Sequence, residues 1–97
     1  MKIVWSPLAL ERANEIADYI AETSMEAARV WLMDIFAAVD RLKEFPESGR
    51  VVPEVKRPNI RELIFKNYRV IYRIERKQLA ILTVRHSRQR LPLKEIK

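Results

Sequence analysis

The sequence holds no cysteine, one histidine and one glycine among its 97 residues. Without cysteine there is neither a disulfide framework nor a thiolate metal site, and a lone histidine leaves no set with structural-zinc spacing. No metal and no other cofactor is expected, and a chelator should be without effect. No apolar run approaches the roughly 18 residues that a membrane helix needs. The opening Met-Lys-Ile-Val-Trp-Ser-Pro also lacks the continuous apolar stretch of a secretory signal. A cytoplasmic protein without a membrane partner is the expectation. Two domains would each fall below the size at which one core sustains itself, so residues 1–97 read as a single domain. With 48% hydrophobic and 33% charged residues, the chain has the composition of a folded protein rather than a disordered one.

What is present is an uneven excess of positive charge. The formal net charge is +6, but residues 1–48 carry 5 basic and 9 acidic side chains and residues 49–97 carry 14 basic and 4 acidic ones. The second half therefore stands at +10 and the first at −4. Such a field attracts a polyanion, nucleic acid above all, and it would steer an acidic protein equally well.

Lys2 to Trp5 is short and partly β-branched, and it stops at Ser6-Pro7, where serine can cap a helix and proline can enter its first turn. Ala9, Ala13, Ile16, Ala17 and Ile20 then follow helical spacing to about Glu22. Thr23 and Glu26 have the spacing of a capping box and predict a second helix. Its inner side would carry Ala28, Trp31, Leu32, Ile35, Phe36, Val39 and Leu42, and Phe45-Pro46 would end it. Trp5, Trp31 and Phe36 are assigned to packing. Pro46 to Asn59 contains three prolines and the only glycine, Gly49, and predicts a long loop. Ile60 to Lys66, Tyr68 to Glu75 and Leu79 to Arg85 then read as a three-stranded antiparallel meander. Residues 87–97 lack periodicity and predict a C-terminal tail.

If Lys66-Asn67 is a two-residue turn, Phe65 opposes Tyr68, Leu63 opposes Val70 and Arg61 opposes Tyr72, which gives one mostly apolar face. The other face receives Glu62, Ile64, Arg69, Ile71 and Arg73. An even-length loop at 75–78 would add Ala80, Leu82, Val84 and His86 to it and make Arg69 and His86 neighbours. A bulge would move the last strand's residues to the other side.

Several segments together are familiar. They are Trp5-Ser6-Pro7, Gly49-Arg50-Val51-Val52-Pro53-Glu54, Ile60-Arg61-Glu62-Leu63, Asn67-Tyr68-Arg69-Val70-Ile71-Tyr72-Arg73 and Val84-Arg85-His86-Ser87-Arg88. In this order and spacing, over nearly the whole chain, they resemble the RelE/ParE superfamily of toxins. The resemblance implies an α+β fold of β-α-α-β-β-β order, with a helical hairpin packed on one face of an antiparallel sheet. It also implies a type II toxin-antitoxin system, with a cognate antitoxin as partner and a toxin-antitoxin hetero-oligomer as its complex. Two activities share that scaffold: messenger RNA cleavage on the ribosome and poisoning of DNA gyrase. The Tyr-Arg-Val-Ile-Tyr-Arg string and the Val-x-His-x-Arg ending look more like the ParE, or plasmid-stabilisation, branch, which implies gyrase as the target.

The alternative, a metal-independent endoribonuclease, needs a base for the ribose hydroxyl, an acid for the leaving oxygen and cations for the phosphate. By motif position, the resemblance to nuclease members implies Glu54, Arg69 and His86 as that set. The match departs where those members carry an aromatic residue beside the histidine and this chain has Ser87 and Arg88. The lysine-rich loop is also reduced, to Lys56 and Arg57. Each residue also has a plainer role. His86 could end a strand by hydrogen bonding, and Glu54 could be a solvated turn residue or a partner for Arg50 or Arg57. Arg61 is assigned a structural part, anchoring its strand to Asp40 or Glu44.

Arg50, Lys56, Arg57, Arg69, Arg73, Arg85 and Arg88 are the residues expected to meet an anionic target or the antitoxin. Ile64, Ile71, Leu82 and Val84 would leave an apolar groove beside them, which soluble monomers seldom expose. Either the tail folds back through Leu91, Leu93 and Ile96, or an antitoxin segment fills the groove; the second is expected in the complex. A third function, an inactive basic nucleic-acid-binding module, would be recognised by undisturbed growth after induction.

Overall fold

The computed structural model describes residues 1–96; Lys97, the last residue of the expected tail, lies outside the described residues. In chain order the elements are β1 (Lys2–Trp5), α1 (Pro7–Ala21), α2 (Met25–Asp40), a 3-10 turn (Arg41–Lys43), β2 (Arg50–Val51), β3 (Ile60–Phe65), β4 (Tyr68–Ile74), β5 (Gln78–His86) and a 3-10 turn (Leu93–Glu95). The five strands form one sheet in the order β1-β5-β4-β3-β2. The expected α+β order is present with two additions. The long loop contributes the two-residue β2 to the sheet edge, and β1 lies parallel to β5, which makes the sheet mixed rather than antiparallel.

Local chemistry explains the helix starts. The Ser6 hydroxyl accepts the Ala9 N–H at 3.0 Å, and Pro7 occupies the first turn, where a missing N–H costs nothing. The second cap differs from the Thr23-Glu26 box. Ser24, one residue later, has the extended backbone of a cap and accepts the Ala27 N–H at 3.1 Å, while Glu26 pairs with Arg29 instead. The two helices then bury Ala9, Ala13, Ala17, Ala28, Trp31, Ile35 and Val39 against the sheet residues Val70, Tyr72, Leu79, Ile81 and Val84. Trp31 meets the rings of Phe65 and Tyr68 edge-on, at 5.9 and 5.3 Å.

The Lys66-Asn67 turn sets the predicted register: Phe65 opposes Tyr68, Leu63 opposes Val70 and Arg61 opposes Tyr72. Lys66 takes the left-handed backbone, φ 54°, that this tight reversal requires. The next hairpin begins in the predicted parity, with Arg73 opposite Ala80, and then shifts. Tyr72 opposes Ile81 but Ile71 opposes Thr83, so Leu82 is an extra residue on β5. The Ser6 hydroxyl donates to the Leu82 carbonyl at 3.0 Å, which satisfies a group that the bulge takes out of the ladder. Beyond the bulge every side chain changes face. Val84 joins the helix-side core at 1% exposure, not the outer groove.

The outer face of the sheet carries a second core of Val52, Ile60, Ile71, Leu82, Leu91 and Ile96. The tail therefore folds back, and the groove expected for an antitoxin segment is occupied in this chain by its own Leu91 and Ile96. Leu93 points away and is 62% exposed, and Ile64 is half-exposed at the margin. Glu95 fastens the tail: it accepts from Thr83 Oγ1 at 2.8 Å and pairs with Arg12 at 3.1 Å and Arg85 at 3.4 Å. Burial, the largest influence on Glu95, raises its pKa, but the Thr83 and Arg12 hydrogen bonds and the neighbouring guanidinium charges together bring it below the ordinary carboxylate value.

The long loop is tied down as well. Tyr72 donates its hydroxyl to the Pro46 carbonyl at 2.6 Å and accepts the Gly49 N–H at 3.0 Å. A Cβ at Gly49 would lie 2.5 Å from that hydroxyl and 2.6 Å from the Glu62 carbonyl, so no larger residue fits. Arg61 is structural, but through carbonyls: it donates to Pro58, Glu47 and Gly49 rather than to Asp40 or Glu44. Truncating Leu91 to alanine should cost roughly 2–4 kcal/mol in chemical denaturation, because a docked tail loses a fully buried side chain. An undocked tail would lose nothing.

Candidate functional site

Two strand registers and a turn bring four charged side chains together on the outer face of the sheet. β3 and β4 bring Glu62 diagonal to Arg69 on the outer face, since Glu62 opposes Ile71 and Ile64 opposes Arg69. β2 sets Arg50 opposite Glu62. The turn after the buried Val52 delivers Glu54; Lys56 closes it with a left-handed backbone, φ 59°, and its N–H bonds the Val52 carbonyl at 2.9 Å. Arg69 lies at the centre and is 5% exposed. Its Nε donates to Glu62 Oε1 at 2.6 Å, and its two terminal nitrogens clasp Glu54 at 2.7 and 2.9 Å. Arg50 reaches Glu62 from the rim through its own Nε. Two cations and two carboxylates cancel.

The consequences for proton transfer are direct. The hydrogen bonds from Arg69 draw the Glu54 pKa down to about 2 against the opposing effect of burial, and the same partners raise that of Arg69. A carboxylate so strongly stabilised as an anion, with both oxygens engaged, is a feeble base near neutrality. Arg69 in turn has its guanidinium committed to the chain's own carboxylates rather than presented to a phosphate.

His86 stands elsewhere. The bulge places it opposite Tyr68 on the helix side of the sheet, so it is not the same-face neighbour of Arg69 that an unbulged strand would give. Its ring meets Tyr68 edge-on at 5.6 Å, and its Nδ1 accepts the Arg88 N–H at 3.2 Å. In the neutral ring this leaves the proton on Nε2. The imidazole borders an open cleft of about 320 Å³ that Arg12, Tyr19, Tyr68, Arg85 and Gln89 also line. Arg85, rather than His86, is in register with Arg69. The three residues of the expected nuclease set are therefore split, two on one side of the sheet and one on the other.

The other cations expected to meet a target or the antitoxin divide into two groups. Arg73 pairs with Glu75 at 2.8 Å, Arg85 with Glu95, and Arg50 with Glu62. Among the described residues, Lys56, Arg57 and Arg88 have no carboxylate within salt-bridge distance and are exposed. Of the groove residues, Ile71 and Leu82 lie under the tail, Val84 lies under the helices, and only Ile64 remains at the surface. Glu62 and Glu95, which organise the arginines, carried no assignment from the sequence. A signal was available: residues 49–97 hold only four acidic side chains, Glu54, Glu62, Glu75 and Glu95, and each one pairs with arginine.

A model of the family described as the ParE toxin of type II toxin-antitoxin system, parDE, matches residues 3–91. The Sinorhizobium fredii protein Y4kP, whose name marks it as a candidate toxin, is 40% identical over 93 residues, 94% of this chain and 93% of its own length. Toxin RelE2 of Caulobacter vibrioides is 31% identical over 87 residues, 89% of this chain and 94% of its own. Among solved structures, the chromosomal ParDE TA system from P. aeruginosa contains a chain that superposes with a TM-score of 0.74 at 24% identity, over 89% of this chain and 95% of that one. This last likeness speaks for the fold.

The charge row makes stability depend on acid. Because the Glu54 pKa is lowered from 4.5 to about 2, its contribution is complete above pH 4.5 and disappears as pH falls towards 2. Equilibrium unfolding should find the natural chain more stable than Glu54→Gln by roughly 1–2 kcal/mol near neutrality, a figure that allows for partial solvent screening. The two curves should converge near pH 2. A constant difference across this range would contradict the assignment.

Proposed function

Because the chain belongs to the ParE toxin family of type II toxin-antitoxin systems, we propose that it arrests growth by binding, with DNA gyrase as its target, and not by cutting RNA. The observation that carries this reading is the commitment of Arg69 to Glu54 and Glu62. A ribonuclease centre built on Glu54, Arg69 and His86 would have to break a buried ion pair, accept a base with a pKa near 2 and act across the thickness of the sheet. A binding protein needs none of this. It needs a rigid body with anchored cations, and Lys56, Arg57 and Arg88 at the exposed margin are suited to an acidic or phosphate-bearing surface.

The partner implied by the family is an antitoxin. With the sheet groove filled by Leu91 and Ile96, an acidic antitoxin segment would engage the marginal cations rather than lie along Ile71 and Leu82. Arg69 and Arg73 then serve as internal braces and not as contacts.

Purified protein added to gyrase and plasmid DNA should accumulate cleaved DNA complexes and should leave messages intact in a translating extract. Reversing charge at the margin, with Lys56→Glu and Arg57→Glu together, should weaken that effect at least about tenfold without altering the fold. Normal supercoiling at growth-arresting doses would reject the gyrase reading. Cuts at ribosomal codon positions that vanish in His86→Ala would establish the nuclease instead.

A further inference from the structure

The solvent-accessible side of α2 belongs neither to the charged row nor to the cleft beside His86, yet its pattern is unusual. Glu26, Arg29, Met33, Phe36, Asp40 and Lys43 recur at intervals of three, four, three, four and three, the spacing of a coiled-coil seam. Lys43 lies in the 3-10 turn that continues the helix. All six are solvent-accessible: Met33 is 58% exposed and accepts from Arg29 Nη1 at 3.0 Å, and the side chains of Glu26, Arg29, Asp40 and Lys43 are 69, 59, 62 and 44% exposed. Phe36, expected on the inner side, rests one side of its ring on Trp5 at 4.7 Å and leaves 39% of the residue exposed. The seam measures about 25 Å at the usual helical rise.

Its charges have a definite order. From the N-terminus the seam runs negative, positive, apolar, apolar, negative, positive. Read backwards it becomes positive, negative, apolar, apolar, positive, negative, which is the complement of the forward reading. Laid antiparallel on a copy of itself, it sets Glu26 against Lys43, Arg29 against Asp40 and Met33 against Phe36. A two-fold axis makes each of these contacts twice, and every patch then meets its own image's complement. An unrelated partner would require complementarity to that partner; nothing would require complementarity of the seam to itself.

We propose that two copies of this chain pair through an antiparallel contact of their α2 helices along this seam. The intrachain pairs Glu26–Arg29 and Asp40–Lys43 are exposed, so they are weak and can be shared with the opposing copy at little cost. Each end of the seam then becomes a four-charge cluster flanking an apolar centre. One helix pair buries a small area, so the association is weak, concentration-dependent and sensitive to salt.

Sedimentation velocity on the full chain over a concentration series tests this. A monomer-dimer equilibrium should appear, and it should weaken at least about tenfold between about 0.05 M and about 0.5 M salt. Arg29→Asp creates two like-charge contacts per dimer and should weaken pairing at least about tenfold, as should Asp40→Arg. The double variant Arg29→Asp/Asp40→Arg restores the opposite signs and should recover affinity to within about threefold. Met33→Glu should leave a monomer. Circular dichroism and thermal melting are expected to match the natural chain in every case, since these side chains are exposed. A chain that stays monomeric at every concentration, a dimer indifferent to Arg29→Asp, a double variant no better than its singles, or pairing that appears only when an antitoxin is bound would each overturn the proposal.

Discussion

The guanidinium of Arg69, held between Glu54 and Glu62, is the constraint around which the basic half of this protein is arranged. A cation on a sheet face that is then covered by the chain's own tail cannot rely on water for its solvation. It must find carboxylates inside the fold, with geometry good enough to offset the loss. Glu62 comes from the adjacent strand and Glu54 from the turn beyond β2, so three separate segments are drawn together by one side chain. The tail is drawn in as well, because Arg69 also donates to the Gln89 carbonyl at 3.4 Å.

This arrangement explains why a strongly positive chain does not present a strongly positive sheet. The arginines on the strands are consumed as braces: Arg50 and Arg69 by Glu62 and Glu54, Arg73 by Glu75, Arg85 by Glu95, and Arg61 by backbone carbonyls. Arginine suits this work, since its planar fork can satisfy two acceptors at once from a semi-rigid position. Among the described residues, Lys56, Arg57 and Arg88, which have no carboxylate within salt-bridge distance, lie in the loop and the tail.

The extra residue at Leu82 has an equally wide reach. It removes His86 from the outer face and puts Val84 under the helices, and it brings Thr83 and Arg85 to the side where Glu95 can meet them. The Ser6 hydroxyl, which caps α1 and binds the Leu82 carbonyl, couples the start of the first helix to this irregularity. One inserted residue thus decides both how the tail is fastened and which residues share a surface with the histidine.

Much of this protein is legible in its sequence. The serine-proline helix start, the apolar spacing of both helices, the two-residue turn at Lys66-Asn67 and the register of the hairpin it joins follow from interactions only a few residues long, which local sequence determines. The resemblance carried by the dispersed motifs identified the family. The cap of α2 is Ser24 rather than the Thr23 that the capping-box spacing implies: both side chains are competent, and the extended backbone falls at Ser24. What tertiary structure alone decided is the bulge, the parallel docking of β1, the carboxylate that each paired strand arginine meets and the return of the tail. Each of these joins residues far apart in the chain, and an extra residue or an ion pair leaves no periodic trace. The nuclease set looked complete as a string of residue types because the face on which a strand displays a side chain is settled by counting along the folded ladder, and one unpaired residue changes that count.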